Sequence, residues 1–447
     1  MRAEQQYIDL FAQCEDLVCR HSTPVMNALR AEALANFERL GFPSTKSEDY
    51  KYTDVAQVFA PDYGLNINRL AIPVNPYDVF RCDVPNLSTS LYFVVNDSFY
   101  DKELPKAHLP EGVYAGGLSE FTRLYPEIAA KYYGKAALSD KDGIVALNTM
   151  LAQDGFVLYV PEGVVVDRTI QLVNIFRGDV DTMANRRLLI IMEPRSQAKL
   201  LVCDHSIDDV KFLATQVVEI FVEDGAYFDY YDLEESSIST SRFSSMHVKQ
   251  DSRSNLLVNG ITLTNGLTRN NYYIDLDGEY AETTLCGMSV LDKEQHMDTY
   301  SLITHSVPNC VSNELFKNVL NDQAVGAFSG RILVKEGADK TEAYQTNRNL
   351  CATREARMYS KPQLEIYADD VKCSHGMSTG QLDENALFYM RSRGIPEDEA
   401  RMLLSVAFTS DVVDHVRVDA LKDRLHKLVE KRFRGDLSKC AGCRICK

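Results

Sequence analysis

Cys373 and His375 are the two residues of this sequence whose types and spacing best suit metal chemistry. The run from Leu364 to His375 reads as a strand, a turn at Asp369-Asp370 and a second short strand. Alternate residues of a strand point to the same face, so the thiol and the imidazole would project together. Both groups ligate iron or zinc, and their softness suits iron–sulfur chemistry. Two ligands do not complete a site, so the others would come from elsewhere in the chain or from a partner. A purely structural role is the alternative.

A second group of thiols lies at the C-terminal end. Cys440, Cys443 and Cys446 follow a C-x2-C-x2-C pattern. Ferredoxin-like loops use this spacing because each thiolate can turn towards one cluster. Here there is no fourth cysteine and no following proline, and zinc would also require a fourth ligand. The pattern therefore leaves two interpretations open, a metal site and a tail of reduced thiols.

Several catalytic motifs are absent from the sequence. There is no GxxxxGK[ST] phosphate loop, no GxGxxG between a strand and a helix, no GxSxG and no HExxH. No nucleophile, base and orienting residue form a recognisable set. The sequence therefore predicts a non-catalytic protein that does not hydrolyse nucleotide through a phosphate loop.

Composition narrows the class of protein further. The 447 residues carry a net charge of −16, which argues against nucleic acid or an anionic membrane as the main partner. No apolar run is long enough for a transmembrane helix, and no signal or transit pattern is visible at the start. The eleven cysteines are mostly scattered singly. These features predict a cytoplasmic protein with reduced thiols.

Helical patterns lie on both sides of the central region. Near the start, Pro24 opens a helix that Gly41 and Pro43 end. After the Cys373–His375 region, Asp383 is the predicted N-cap of a helix that Gly394 stops. Two further helices are predicted between Pro396 and residue 435. Their apolar stripes predict packing faces and no chemistry.

The central region has a repeat. From Gly155, strands alternate with acidic or glycine turns, and similar turns recur at roughly 26 to 32 residues, a spacing typical of repeat architectures. Each unit has two or three strands and no helical pattern, apart from a helix-like stretch between Glu314 and Leu320. A sandwich would show short turn spacings without this longer period. The period therefore predicts a mainly β solenoid.

The same residues carry a resemblance to a known family. The run KPQLEIYADDVKCSHG, followed by GQLDE and LFYMRSRGI, resembles the C-terminal signature of SufD-type members of the SufB/SufD family. These are subunits of the SUF iron–sulfur cluster assembly machine. A second run, LGFPSTKSEDYKYTDV from Leu40 to Val55, resembles the family's N-terminal pattern, although Tyr50 stands where the family usually has tryptophan.

The resemblance implies a fold and a set of partners. The fold would be a right-handed parallel β-helix between an N-terminal α/β region and C-terminal helices. The protein would be a scaffold subunit that pairs with SufB and docks the SufC ATPase in a SufBCD complex, with a homodimer as a possible state of the isolated chain. His375, with Cys373, would serve a transient iron–sulfur cluster at the subunit interface. The implied SufC contact lies on the signature helix and comprises Leu387, Met390, Arg391 and Arg393. Nothing in the sequence marks a flavin site.

The predicted domains divide the chain into four parts. They are an N-terminal helical and α/β region at 1–150, a β-helix core at 151–378, a helical domain at 379–435 and a cysteine-rich tail at 436–447. A SufB-like paralogue is one alternative, but SufB is expected to carry a histidine–glutamate pair where this chain has Ser374-His375-Gly376. A β-helix polysaccharide-active enzyme is another, and it would predict secretion. A separate metal or redox protein built on the cysteine tail would leave the long repeat unexplained.

Overall fold

The structure is a computed structural model that describes residues 3–79, 90–103, 105 and 109–435. Cys440, Cys443 and Cys446 lie outside the described residues, so the two interpretations of the tail stay open. Among the described residues, no helix is both long and apolar enough to cross a membrane.

The N-terminal part combines short helices with three short strands. In chain order these are α1 (Ala3–Arg20), α2 (Pro24–Asn27), α3 (Arg30–Leu40), α4 (Val55–Phe59), α5 (Pro76–Val79), β1 (Leu91–Val95), β2 (Ser98–Phe99), β3 (Tyr114–Gly117), α6 (Leu118–Leu124), α7 (Pro126–Tyr132) and α8 (Gly143–Leu151). The helix predicted from Pro24 to Gly41 is interrupted between Asn27 and Arg30. Its end is as predicted, because Gly41 adopts a positive φ of 62° and donates its N–H to the Phe37 carbonyl.

Sixteen further strands form the central body, and they build a parallel β-solenoid. They are β4 (Phe156–Val160), β5 (Ile170–Phe176), β6 (Thr182–Met192), β7 (Gln197–Ser206), β8 (Phe212–Val222), β9 (Tyr227–Glu235), β10 (Thr240–Gln250), β11 (Asn255–Thr264), β12 (Leu267–Leu276), β13 (Glu282–Leu291), β14 (His296–His305), β15 (Val311–Leu320), β16 (Val325–Val334), β17 (Glu342–Cys351), β18 (Arg357–Ile366) and β19 (Lys372–Gly380). Each strand from β4 to β17 pairs in parallel with the strand two further along. The chain therefore alternates between two stacked sheets, as the repeat predicted.

The two sheets divide the strands by parity. Sheet A has nine strands in the order β18-β16-β14-β12-β10-β8-β6-β4-β3, and sheet B has ten in the order β19-β17-β15-β13-β11-β9-β7-β5-β1-β2. β1 pairs in parallel with β5, so the N-terminal part is continuous with the solenoid. Hydrogen-bonded side chains in neighbouring coils are 28 to 31 residues apart at one interior position, which agrees with the predicted period.

The predicted helix-like stretch between Glu314 and Leu320 is wrong, because these residues lie in β15. The buried Glu314 pairs in register with Leu285, a member of the interior core, whereas Leu315 packs on the outside against the C-terminal helices. A polar residue thus faces inward and an apolar one faces outward. This reversal hides the alternation that normally marks a strand.

Helices cover the outer faces of the solenoid. The N-terminal helices pack on sheet A, where Met183, Leu213 and Phe243 join their apolar cluster. The C-terminal helices are α9 (Glu384–Ser392), α10 (Glu397–Asp414) and α11 (Asp419–Phe433). α10 and α11 fold back over sheet B, where their valines and leucines pack against strand residues such as Tyr231 and Leu257. Strands buried on both faces read as nearly continuous apolar runs.

Candidate functional site at the open end of the solenoid

The solenoid ends in two strands that are each paired on one side only. β18 pairs with β16 and β19 pairs with β17, and no other strand among the described residues covers their outer edges. Most residues of β19 are exposed, and those of β18 are mostly half-buried. A free strand edge presents unpaired backbone N–H and C=O groups, which makes it a template for a strand of another chain.

Cys373 and His375 lie together on this last coil. Cys373 is paired in register with Ala343, and His375 with Gln345, so both side chains are on one face of β19. Cys373 is half-buried against the apolar cluster around Ala338 and Ala343, whereas His375 is exposed. Burial raises the pKa of the Cys373 thiol above its ordinary value, so at neutral pH it is protonated.

The face that carries these two residues is the inner face of the solenoid. Successive register partners of His375 are Gln345, Glu314, Leu285 and Val258. All four are buried, and Leu285 and Val258 belong to the interior apolar core. The imidazole therefore occupies an interior position that is exposed only because the solenoid stops there. The thiol and the imidazole lie at the mouth of the coil stack.

Polar side chains extend inward from this mouth. Gln345 Nε2 donates to Glu314 Oε2 at 2.6 Å, and the Ser301 hydroxyl donates to the other carboxylate oxygen. Burial raises the pKa of Glu314 to about 7, and the hydrogen bonds from Ser301 and Gln345 oppose that rise. This group was not selected from the sequence. The available signal was the recurrence of polar residues at one interior register position, but that position is visible only when the register is known.

A second polar column reaches the same end. The Ser289 hydroxyl donates to Asn318 Oδ1 at 2.7 Å, and Asn318 Nδ2 donates to Asn349 Oδ1 at 2.8 Å. Asn349 Nδ2 then lies 3.3 Å from the Thr379 hydroxyl on β19. Polar side chains therefore fill part of the interior of the last coils, beside the apolar cluster around Ala338 and Ala343.

Deeper in the solenoid lies a buried ionic cluster. Arg242 donates to Asp204 at 2.9 Å and to Asp232 at 2.9 and 3.2 Å, and Arg186 donates to Asp204 at 2.9 Å. The two arginines hold the pKa of Asp204 below its ordinary value although the group is fully buried. The residues of this cluster are all buried, which indicates a structural role.

The N-terminal motif between Leu40 and Val55 also reaches the last coils. The Tyr50 hydroxyl donates to Asp142 at 3.1 Å, and the Arg269 guanidinium lies 4.2 Å from the centre of the Tyr50 ring. Further along, the Tyr52 ring stacks on Tyr359 of β18 with 4.1 Å between ring centres. Lys361 of the C-terminal motif donates to Glu48, so the two motifs behind the family resemblance meet at the open end although more than 300 residues separate them in the chain.

The signature helix α9 follows directly after β19. The Asp383 side chain accepts the backbone N–H groups of Asn385 and Ala386, which confirms its predicted capping role. Leu387, predicted at the ATPase contact, is buried within this chain. The residues that do present apolar surface are Phe388, 73% exposed, and Tyr389, 59% exposed. Neither was selected from the sequence.

The other residues expected at the ATPase contact lie on the same helix. Met390 is half-buried, Arg391 lies 3.3 Å from Glu397, and the Arg393 guanidinium lies 5.2 Å from the centre of the Tyr389 ring. Both arginines are exposed. The helix thus presents an aromatic and basic surface.

A complete metal site is not assembled by the described residues of this chain. They contain no group of three or more histidine, cysteine, aspartate or glutamate side chains able to hold a metal ion together. Cys373 and His375 supply two ligand types at an open edge and not an enclosed centre. The molecule is therefore a helix-covered parallel β-solenoid protein with Cys373 and His375 at the open end of the coil stack.

Comparison with known proteins identifies the family. Residues 1–172 match the SufBD protein N-terminal region, and residues 175–408 match the SufBD core domain of SUF system FeS cluster assembly. The chain belongs to the SufBD family, which confirms the resemblance drawn from its two motifs. It is 27% identical to an iron–sulfur cluster assembly SufBD family protein of Synechocystis, with 88% of each chain covered.

Two relatives carry the name SufD. The iron–sulfur cluster assembly protein SufD of Escherichia coli is 26% identical, with 89% of this chain and 90% of the relative covered. The protein of the same name in Bacillus subtilis is 24% identical, with 97% and 99% covered. The similarity thus extends over the N-terminal part, the solenoid and the C-terminal helices.

Proposed function

We propose that this chain is a SufD-type scaffold subunit of an iron–sulfur cluster assembly complex and not itself an enzyme. It would pair with a SufB-type paralogue through the last coil and hold a SufC-type ATPase on its C-terminal helices. The observation that carries the proposal is the position of His375 and Cys373 on the uncapped coil of a SufBD core.

The open edges support the pairing with a paralogue. β18 and β19 can each accept a strand from another chain through backbone hydrogen bonds, which is the general mode of β-augmentation. A second solenoid of the same family would offer matching edges and a matching interior. The joined ends would enclose the inward-facing side chains of β19, including His375.

The chemistry of the enclosed space suits a nascent cluster as cargo. His375 supplies an imidazole nitrogen, and the paralogue would supply the remaining ligands, since the described residues of this chain do not assemble a complete set. The Cys373 thiol lies two residues away, and binding of iron would displace its proton. A site divided between two chains can release its cargo when the chains move apart.

The signature helix links this interface to the ATPase. α9 begins at Glu384, shortly after β19 ends at Gly380, so a force on α9 acts directly on the strand that carries His375. Phe388 and Tyr389 offer an exposed aromatic surface of the kind that is enriched at protein interfaces. Closure of the ATPase on nucleotide would therefore move the cargo site.

Co-purification tests this assignment. The tagged full chain is isolated from its native cells, partners are identified by mass spectrometry, and the complex is reconstituted from the separate subunits. We expect a SufB-type paralogue and a SufC-type ATPase in one complex, with nucleotide hydrolysis only when the ATPase is present. Isolation of the chain without either partner, or hydrolysis by the chain alone, would overturn the proposal.

A further inference from the structure

Gln345 on β17 is the residue next to His375 in the inward-facing register column. It is 1% exposed and therefore belongs to the interior, whereas His375 stands at the open mouth. Neighbouring strands lie about 4.8 Å apart, which brings in-register side chains within reach of each other. The following inference rests on the proposed role of His375 and deepens it.

The amide nitrogen of Gln345 is held in one direction. Nε2 donates to Glu314 Oε2 at 2.6 Å, towards β15. Glu314 is itself fixed, because its other oxygen accepts the Ser301 hydroxyl. The amide nitrogen is therefore committed to the strand on the side of Gln345 opposite to His375.

The amide also needs a gap on the facing sheet, and Gly330 of β16 provides it. A Cβ atom at residue 330 would lie 2.3 Å from Gln345 Nε2 and 2.8 Å from Cδ. Both distances are shorter than any ordinary contact, so any side chain at residue 330 would displace the amide. The glycine thus preserves one orientation of Gln345.

The amide oxygen of Gln345 is left with an unused acceptor. Oε1 is buried and has no hydrogen-bond partner among the described residues. The two terminal atoms of a planar amide lie on opposite sides of the Cγ–Cδ axis, so with Nε2 turned to β15 the oxygen is turned to β19. A buried acceptor without a donor is costly, and a ring N–H of His375 is a matching donor in the adjacent register position.

We propose that Gln345 is a positioning residue for His375. Its Oε1 accepts one ring N–H of the imidazole, which fixes the tautomer and the ring plane, and the other ring nitrogen keeps its lone pair for an iron ion at the interface. Metal-ligating histidines commonly donate their second ring nitrogen to a fixed oxygen in this way. Glu314 and Gly330 act one step further away, by holding the amide.

The first test uses the isolated full chain. Histidine labelled with 15N is incorporated, and the His375 signals are assigned by comparison with His375→Gln at alkaline pH, where an imidazole is neutral. We expect a single tautomer in the unmodified protein and a mixture of both in Gln345→Leu. Gln216→Leu is the matched control, since Gln216 is also 1% exposed and also has a buried Oε1 without a partner, but lies on β8.

A second variant guards against a folding defect in Gln345→Leu. Gly330→Ala keeps every hydrogen-bonding group but pushes on the amide, so it should shift the His375 signals towards the same mixture. If both variants leave a single tautomer unchanged, or if the unmodified protein already shows a mixture, the positioning role of Gln345 is overturned.

The reconstituted complex separates this inference from the proposed function. Loss of an orienting residue of this kind typically lowers metal affinity or activity by about 10- to 100-fold, so we expect at least a 10-fold fall in cluster assembly for Gln345→Leu. A tautomer change with normal assembly would support the orienting bond and overturn the ligand role of His375. An unchanged tautomer with His375→Ala still defective would overturn the role of Gln345 alone.

Discussion

Glu314 shows how a single residue responds to the interior of this solenoid. It is 3% exposed, and its hydrogen bonds come from neutral groups on Ser301 and Gln345. Burial raises its pKa to about 7. Asp204, equally buried, has a lowered pKa because Arg186 and Arg242 contact it. Contacts with two arginines thus lower the pKa of the buried Asp204, whereas the pKa of Glu314, whose hydrogen bonds come from neutral groups, is raised.

The raised pKa of Glu314 predicts a pH-dependent stability. The pKa of the Glu314 carboxyl is about 7 in the folded chain and near 4.5 in the unfolded chain, so the folded chain binds this proton more tightly. The resulting stabilisation is fully present below about pH 4.5 and is lost as pH rises through about 7. The loss is on the order of 3 kcal/mol. The free energy of unfolding of Glu314→Gln minus that of the unmodified protein should therefore be larger at pH 8 than at pH 5, as measured by urea unfolding.

The appropriate control replaces an exposed carboxyl. Glu336 lies in an exposed turn, so Glu336→Gln should have the same free energy of unfolding as the unmodified protein at every pH. Comparison between variants is needed because Glu234, whose pKa burial also raises to about 7, contributes its own pH dependence. Identical pH curves for Glu314→Gln and the unmodified protein would contradict the prediction.

His375 belongs to the same column but should be dispensable for folding, because it is exposed. We predict that His375→Ala folds and binds the ATPase normally while the assembled complex contains fewer clusters. His375→Cys keeps a ligand for iron and should retain more function. Reconstitution of the complex, followed by iron–sulfur absorbance, measures both. An unfolded alanine variant would indicate a core residue, and normal assembly would indicate a bystander; either result would defeat the ligand role.

At the scale of elements, the helix α9 follows directly after the strand β19 in the chain. The strand carries His375, and the helix carries exposed aromatic residues. Phe388→Asp and Tyr389→Asp should each weaken binding of the ATPase at least 10-fold, because each would place a charge in the proposed apolar contact. Met390→Pro should also weaken it, since proline in a helix interior costs about 3 kcal/mol or more. Titration calorimetry with the purified ATPase measures the affinities.

Leu124→Asp on α6 is the control for this helix. Leu124 is 57% exposed, similar to Tyr389, but lies in the N-terminal part. It should leave ATPase binding unchanged. If all three α9 variants bind as tightly as the unmodified chain, the ATPase contact lies on another surface.

At the scale of the whole molecule, the solenoid is nearly one-dimensional, because each coil contacts mainly its two neighbours. Within the part of the chain that the structure describes, the last coil has one neighbouring coil, and it should open locally more often than the middle coils. We predict fast amide hydrogen exchange in residues 372–380 and slow exchange in β10 and β12. Adding the SufB-type paralogue should slow exchange in 357–380 selectively.

The ATPase alone provides the comparison for that experiment. It should protect α9 while leaving the edge of β18 unchanged. Protection by the paralogue at some other surface, with 372–380 still exchanging fast, would place the subunit contact away from the open end.

Much of this architecture could be predicted from local signals in the sequence. The turn residues recur once per coil, so the solenoid period was readable without a structure. The strand, turn and strand around Asp369, and the cap at Asp383, are local events governed by nearby residues, and both were predicted correctly. The two motifs were dense enough to indicate the SufBD family, which the comparisons confirmed.

Other features were decided only by tertiary structure. Gln345 and Glu314 are 31 residues apart, and they meet because the register of β15 against β17 places them on the same inner face. A shift of one residue would send them to the outside, so no local pattern could reveal the contact. The wrong prediction for β15 also has a tertiary cause, because the burial of its outward-facing side chains depends on helices that fold back from later in the chain. The sequence by itself determined the repeat, the caps and the family, because neighbouring residues encode them. The column behind His375 exists only once the coils are stacked, because stacking decides which side chains of the strands are enclosed. The aromatic surface of α9 depends on the packing of that helix, which leaves Phe388 and Tyr389 exposed.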